Sequence, residues 1–125
     1  VSDIDNMISR LTDRQRHEFA LACARRVQHL MTDPRSVAAL DTRERWLRGA
    51  ATNEEMNEAA AAAAVAAWAE VQYAARAASE AAALAADGDA ANAAAYARAA
   101  NAEWDAERTW QRAELERMLR EGGGA

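Results

Sequence analysis

Residues 52–89 read TNEEMNEAAAAAAVAAWAEVQYAARAASEAAALAADGD, and this stretch decides the fold. Thr52-Asn53-Glu54-Glu55 has the form of a capping box, a hydroxyl followed three residues later by a carboxylate that can reach back to the helix start. Neither glycine nor proline occurs between Glu55 and Gly88. Alanine ranks first for helix propensity and poorly for strands. The spacing therefore predicts one helix over 53–86, about 50 Å long at 1.5 Å per residue. Gly88 supplies the permissive backbone of a tight reversal, and Asp89 can cap a second long helix over 90–120. Together they predict an antiparallel αα-hairpin folded at Gly88.

On a helical wheel of about 100° per residue, Glu58, Gln72, Arg76, Ser79 and Glu80 gather in one wet strip of the first long helix. Trp68, Val71, Tyr73 and Leu84 fall outside that strip, and Val65 falls inside it. On the second long helix Trp104, Leu115, Met118 and Leu119 share a sector opposite Arg98, Asp105, Arg112 and Glu116.

Upstream, three shorter helices are expected. Ser2 can cap one over 3–10, and Thr12 with Gln15 forms a capping box for another over 13–31. Asp33 followed by Pro34 starts the third, over 34–48, which Gly49 ends. The tail 122–125 is expected to be disordered. The fold class is all-α: a long antiparallel hairpin packed with shorter N-terminal helices, in a four- or five-helix bundle-like single domain over 1–121.

Composition explains how such a bundle must pack. Of 125 residues, 51% are hydrophobic, but 37 are alanine, so close approach of helices has to replace side-chain bulk. β and α/β folds do not fit this composition. The shorter helices carry the bulkier side chains and are expected across the Met56/Trp68 and Trp104/Leu115 half of the hairpin. That leaves the Gly88 end bare or paired with a second subunit. A homodimer and a compact four-helix monomer both fit.

The net charge is −5, with 20 acidic side chains against 15 basic ones, all of them arginine. The acids concentrate between Glu54 and Glu107, where ten face only Arg76 and Arg98. Such a surface repels phosphate backbones and attracts basic partners. Cys23 is the single cysteine, which rules out an intrachain disulfide and fits a reduced, cytoplasmic setting. The start VSDIDNMISR has no signal-peptide pattern, and the apolar run after Glu58 is interrupted too soon to span a membrane.

Catalytic and metal chemistry find little to work with. His17 and His29 are the two histidines, and neither completes a Glu-x-x-His motif. No glycine loop can cradle phosphate, and no serine sits in a glycine-flanked turn. The expectation is a protein without enzymatic activity, metal or cofactor. Binding residues are easier to nominate. Tyr96, Glu103, Glu107, Trp110 and Glu114 fall along one line of the last helix, bordering its apolar sector, an acidic-aromatic stripe suited to an Arg-rich protein partner. The competing reading is an ordinary boundary between core and solvent, satisfied by arginines such as Arg26 or Arg117. Two further classes stay open: a self-assembling structural protein, and a small nucleic-acid binder using Arg14, Arg16, Arg25, Arg26, Arg43, Arg45 and Arg48.

Three segments carry a family resemblance: Leu11-Thr12-Asp13; Arg45-Trp46-Leu47-Arg48-Gly49 with Thr52-Asn53-Glu54-Glu55; and Glu103 to Gln111 before Leu115. Together with the alanine and tryptophan pattern, they resemble the alanine-rich proteins assigned as immunity proteins in bacterial toxin-immunity loci and phage genomes. The resemblance implies a non-enzymatic protein that neutralises a toxin by binding it, and it transfers no functional residue. An inhibitor of a bacterial defence protein would share the same features.

Overall fold

A computed structural model describes residues 3–101 and 103–123, and every regular element among them is helical. The order is α1 (Asp3–Ser9), α2 (Asp13–Arg26), a 3-10 turn (Gln28–Leu30), α3 (Pro34–Leu47), α4 (Asn53–Ala69), α5 (Tyr73–Asp87), α6 (Ala90–Ala100) and α7 (Trp104–Met118), then a π-helical turn (Leu119–Gly123). The chain is an all-α bundle.

The helix starts are local chemistry. Thr12 accepts the Gln15 backbone N–H while the Gln15 side chain accepts the Thr12 N–H, and Thr52 and Glu55 repeat the arrangement. Asp33 accepts from the Arg35 N–H with Pro34 at the first helical position. Ser2 lies outside the described residues. Gly88 turns the chain at φ 83°, in the left-handed region that glycine enters without strain. It joins α5 to α6 as an antiparallel hairpin.

Both long rods are broken, contrary to the sequence expectation. The helix expected over 53–86 stops at Ala69, and Glu70 and Gln72 take extended backbone before α5. No glycine or proline causes this. The Glu70 carboxylate accepts the Val71 and Gln72 N–H groups at 3.0 and 3.1 Å, which gives partners to the two backbone donors just before α5. Thr32 donates its hydroxyl to the same carboxylate and ties the corner to the α2–α3 connection. These bonds, that from Thr32 foremost, hold the Glu70 carboxyl below its ordinary range.

The helix expected over 90–120 is interrupted in the same manner. Asn101 is extended, its Oδ1 accepts the Glu103 N–H at 2.8 Å, and its amide donates to Glu107. The helix expected over 13–31 ends at Arg26 and continues as the 3-10 turn. Of the tail expected to be disordered over 122–125, residues 122 and 123 belong to the π-helical turn, and 124–125 lie outside the described residues.

Broken rods fold into two layers. α4, α5 and α6 lie side by side with α5 in the centre, while α2 packs on α5 and α6, and α3 packs on α4 and α5. α7 packs on α1, α2 and α6. Nine of the fifteen α5 residues are buried, eight of them alanines. The larger side chains meeting this layer come from Phe19, Leu21, Val27, Leu40, Ile4, Ile8 and Leu115.

The expected placement of the short helices holds at Met56 and Leu115, which are buried against α3 and against α1 and α2, and fails at Trp68 and Trp104, which stay exposed. They also cover the Gly88 end, expected to be bare or paired: Arg43 donates to the Ala86 carbonyl, and a Cβ added at Gly88 would lie 2.9 Å from His17 Cε1. The corner at 70–72 is tied down by Thr32 on its inner side, and Trp68, Val71 and Tyr73 around it are exposed. Helices of larger girth settle where the facing side chains are smallest, and the last turns of α5 offer mostly alanine.

The caps make stability pH-dependent. Bonds from the Arg35 side chain and backbone hold the Asp33 carboxyl down at about 2, against 3.8 when free, and the Thr52 backbone bond lowers Glu55. An acid depressed in the folded state contributes stability above its unfolded pKa, and that contribution fades as pH falls toward the folded value. Urea melts from about pH 5 to about pH 2.5 should show declining unfolding free energy. Asp33→Asn, which caps without titrating, should decline less steeply; equal slopes would mean that Asp33 contributes nothing to the decline.

Candidate protein-contact surface

The five nominated residues do not form one surface. Glu107 is completely buried, with both carboxylate oxygens 2.9 Å from Arg26 Nε and Oε2 accepting from the Asn101 amide at 3.1 Å. Trp110 is partly buried beneath the Arg26 guanidinium, 4.3 Å from its ring centroid. Glu114 accepts from Arg117 at 2.7 and 3.0 Å, and this pairing holds its carboxyl below the usual range. Glu103 is exposed, and Tyr96 is 41% exposed on a different helix. The break at 101–103 separates Tyr96 from the other four, and Arg26 and Arg117 satisfy Glu107 and Glu114.

Behind Glu107 lies a small buried polar network. Arg98 donates to Gln111 Oε1 at 2.7 Å, and the Gln111 amide donates to the Ala94 carbonyl at 3.0 Å. The wheel places Arg98 opposite the apolar sector, but a helix that breaks at 101–103 does not carry its phase across the break. Cys23 is buried, and burial pushes its thiol well above the ordinary range, so it stays a protonated core residue.

The N-terminal arginines are engaged within the fold. Arg14 donates to the Leu47 carbonyl and Arg16 to the Leu11 carbonyl and Asp13. Arg25 meets Asp41 at 2.8 Å, Arg26 meets Glu107, and Arg48 meets Glu44 at 3.3 Å. Arg43 is buried and Arg45 lies 3.9 Å from Glu55. Among the described residues, no group of three or more His, Cys, Asp or Glu side chains is placed to hold a metal ion, and no helix is long and apolar enough to cross a membrane.

The open surface lies on the outer face of the alanine layer. Val65, Trp68, Val71 and Tyr73 are 55%, 79%, 89% and 75% exposed. Ala61, Ala64, Val65 and Trp68 are exposed at the i, i+3, i+4, i+7 spacing of a single α4 stripe, with Glu54 and Glu58 exposed on the same helix. Along this stripe runs a groove of about 450 Å³ floored by Ala60, Ala61, Ala64, Ala83 and Leu84 and edged by Asn57, Glu80 and Asp87. A signal is present in the sequence, since Val65 falls in the wet strip. A wheel run unbroken through 70–72 turns Trp68, Val71 and Tyr73 inward instead.

A groove between two alanine-rich helices is shallow enough for a third helix to approach closely, and carboxylates at its edge favour a cationic visitor. Trp68, exposed beyond the groove on the same α4 stripe, is the residue type that most often anchors protein contacts. No family model, no curated protein and no solved structure matches the chain.

Proposed function

We propose that this protein is a cytoplasmic, non-enzymatic binding module that occludes a protein partner, and that the α4–α5 groove receives a basic amphipathic helix of that partner. The observation that carries the reading is the groove itself: an alanine floor left open to solvent, with Glu80 and Asp87 on its edge. Apolar area would supply the affinity, and the acidic surroundings would steer encounter and exclude acidic proteins. This reading agrees with the resemblance to alanine-rich immunity proteins, whose action needs only a covered partner surface.

Two synthetic helices test it, each with a Leu/Ala face, one flanked by arginines and the other by glutamates. NMR titration should move the Ala60, Ala61, Ala64 and Leu84 signals with the arginine peptide alone. Asp87→Asn, which removes the groove-edge charge without setting a cation beside the buried Arg43, should weaken that binding severalfold. Equal response to both peptides, or shifts confined to other helices, would overturn the proposal.

A further inference from the structure

We propose that the Trp68 corner is a self-complementary interface through which two copies of this chain form a symmetric dimer. It shares Glu80 with the α4–α5 groove but is built on Trp68, Tyr73 and Tyr96, which do not line that groove, so Trp68→Ala tests it separately. Beside the corner, α5 and α6 enclose a cleft of about 180 Å³ lined by Tyr73, Arg76, Ala77, Glu80, Tyr96 and Ala99. Two aromatic walls, an alanine floor, one cation and one anion suit a flat, apolar side chain with a single N–H.

Trp68 is such a side chain, 79% exposed five residues before Tyr73. A two-fold interface requires that residue i meet j while j meets i, so projection and receptor must share one surface patch. Here they do. In the dimer each Trp68 enters the other copy's cleft, its ring against Tyr73 and Tyr96. Arg76 offers its guanidinium to the indole face and Glu80 accepts the indole N–H.

Charge selects a second copy as the occupant. The segment from Glu54 to Glu107 is strongly acidic, and of its two arginines Arg98 is buried, so Arg76 is its exposed cation. Arg76 Nε lies 3.9 Å from Glu80 Oε1, which gives this patch both signs where the rest of the layer carries acids. Two copies meeting through the acidic groove would repel. Meeting at the corner, each Arg76 faces the other copy's Glu80, and the pairing is attractive twice over. The aromatic area is modest beside that of obligate dimers, so association is concentration-dependent, with a midpoint in the micromolar range.

Sedimentation velocity on the purified chain should show the mass rising toward twice 13.5 kDa as concentration increases. Trp68→Ala should raise the midpoint at least tenfold with helicity unchanged. Arg76→Glu and Glu80→Arg, on side chains 47% and 27% exposed, should each abolish the dimer. Mixing those two variants should restore a heterodimer, because one copy then presents only acids and the other only bases. A monomer at every concentration would overturn the proposal, as would a dimer indifferent to Trp68→Ala or a mixture that fails to associate.

Discussion

Arg26→Ala is expected to cost about 3 kcal/mol of unfolding free energy, a large loss for an arginine whose side chain is 38% exposed. The cause is the group it leaves behind. Glu107 is completely buried, and without Arg26 its carboxylate keeps one hydrogen-bond donor, the Asn101 amide at 3.1 Å. Breaking a buried pair by removing one partner costs about 3–5 kcal/mol, because an uncompensated charge stays in the interior. Water reaching the partly open Arg26 site places the effect near the lower bound. The truncation also uncovers Trp110, which Arg26 stacks upon at 4.3 Å.

The double variant Arg26→Met with Glu107→Met separates charge from packing. Replacing both members of a buried pair with apolar groups of similar volume is often neutral, so the double variant should recover most of the loss. Urea denaturation of wild type, the single variant and the double variant measures this directly. A loss under about 1 kcal/mol for Arg26→Ala would mean that water already solvates Glu107, contrary to its burial.

Particular residues show what can be read from the sequence. Capping boxes at Thr12/Gln15 and Thr52/Glu55, the Asp33-Pro34 start and the Gly88 turn are all contained within four consecutive residues, and each is found where the pattern puts it. The breaks at 70–72 and 101–103 are different in kind. Propensity favours helix through both, and what stops the helix is side-chain bonding: Thr32 to Glu70 across 38 positions, and Asn101 to Glu103 and Glu107. The Thr32 bond leaves no local trace, whereas the Asn101 bonds lie within six positions and are outweighed by the helix propensity of the surrounding alanines; periodicity read through either break misplaces side chains around it. Such a wheel sends Ser79 and Arg98 to the solvent side although they are buried, and turns Trp68, Val71 and Tyr73 inward although they are exposed. The acidic stripe is divided instead of continuous: Glu107 is buried against Arg26, 81 positions away, while Glu114 pairs with Arg117 three positions along the same helix, as the competing reading of a core boundary expects.

The second large effect arises from how the alanine layer packs. Ala82 is fully buried on α5 within the core cluster that includes Ala93, Ala94 and Ala97 of α6 and Phe19 of α2. A leucine there has no space, and overpacking forces side chains off their rotamers or helices apart at about 1–3 kcal/mol or more. The tight spacing of α5 against its neighbours on both sides puts Ala82→Leu at the upper end of that range. Ala64 of α4 is exposed and lines the open groove, so the same substitution there meets nothing. Leucine and alanine differ little in helix propensity, which leaves burial as the main difference between the two sites.

The fold and the proposed surface both require an alanine layer packed tight on its inner face and vacant on its outer face. Unfolding free energies of Ala82→Leu and Ala64→Leu, measured side by side by urea denaturation, test this most directly. A loss of about 3 kcal/mol is predicted for Ala82→Leu and a change within about 0.5 kcal/mol for Ala64→Leu. Equal losses at the two positions, or a tolerated leucine at Ala82, would contradict it.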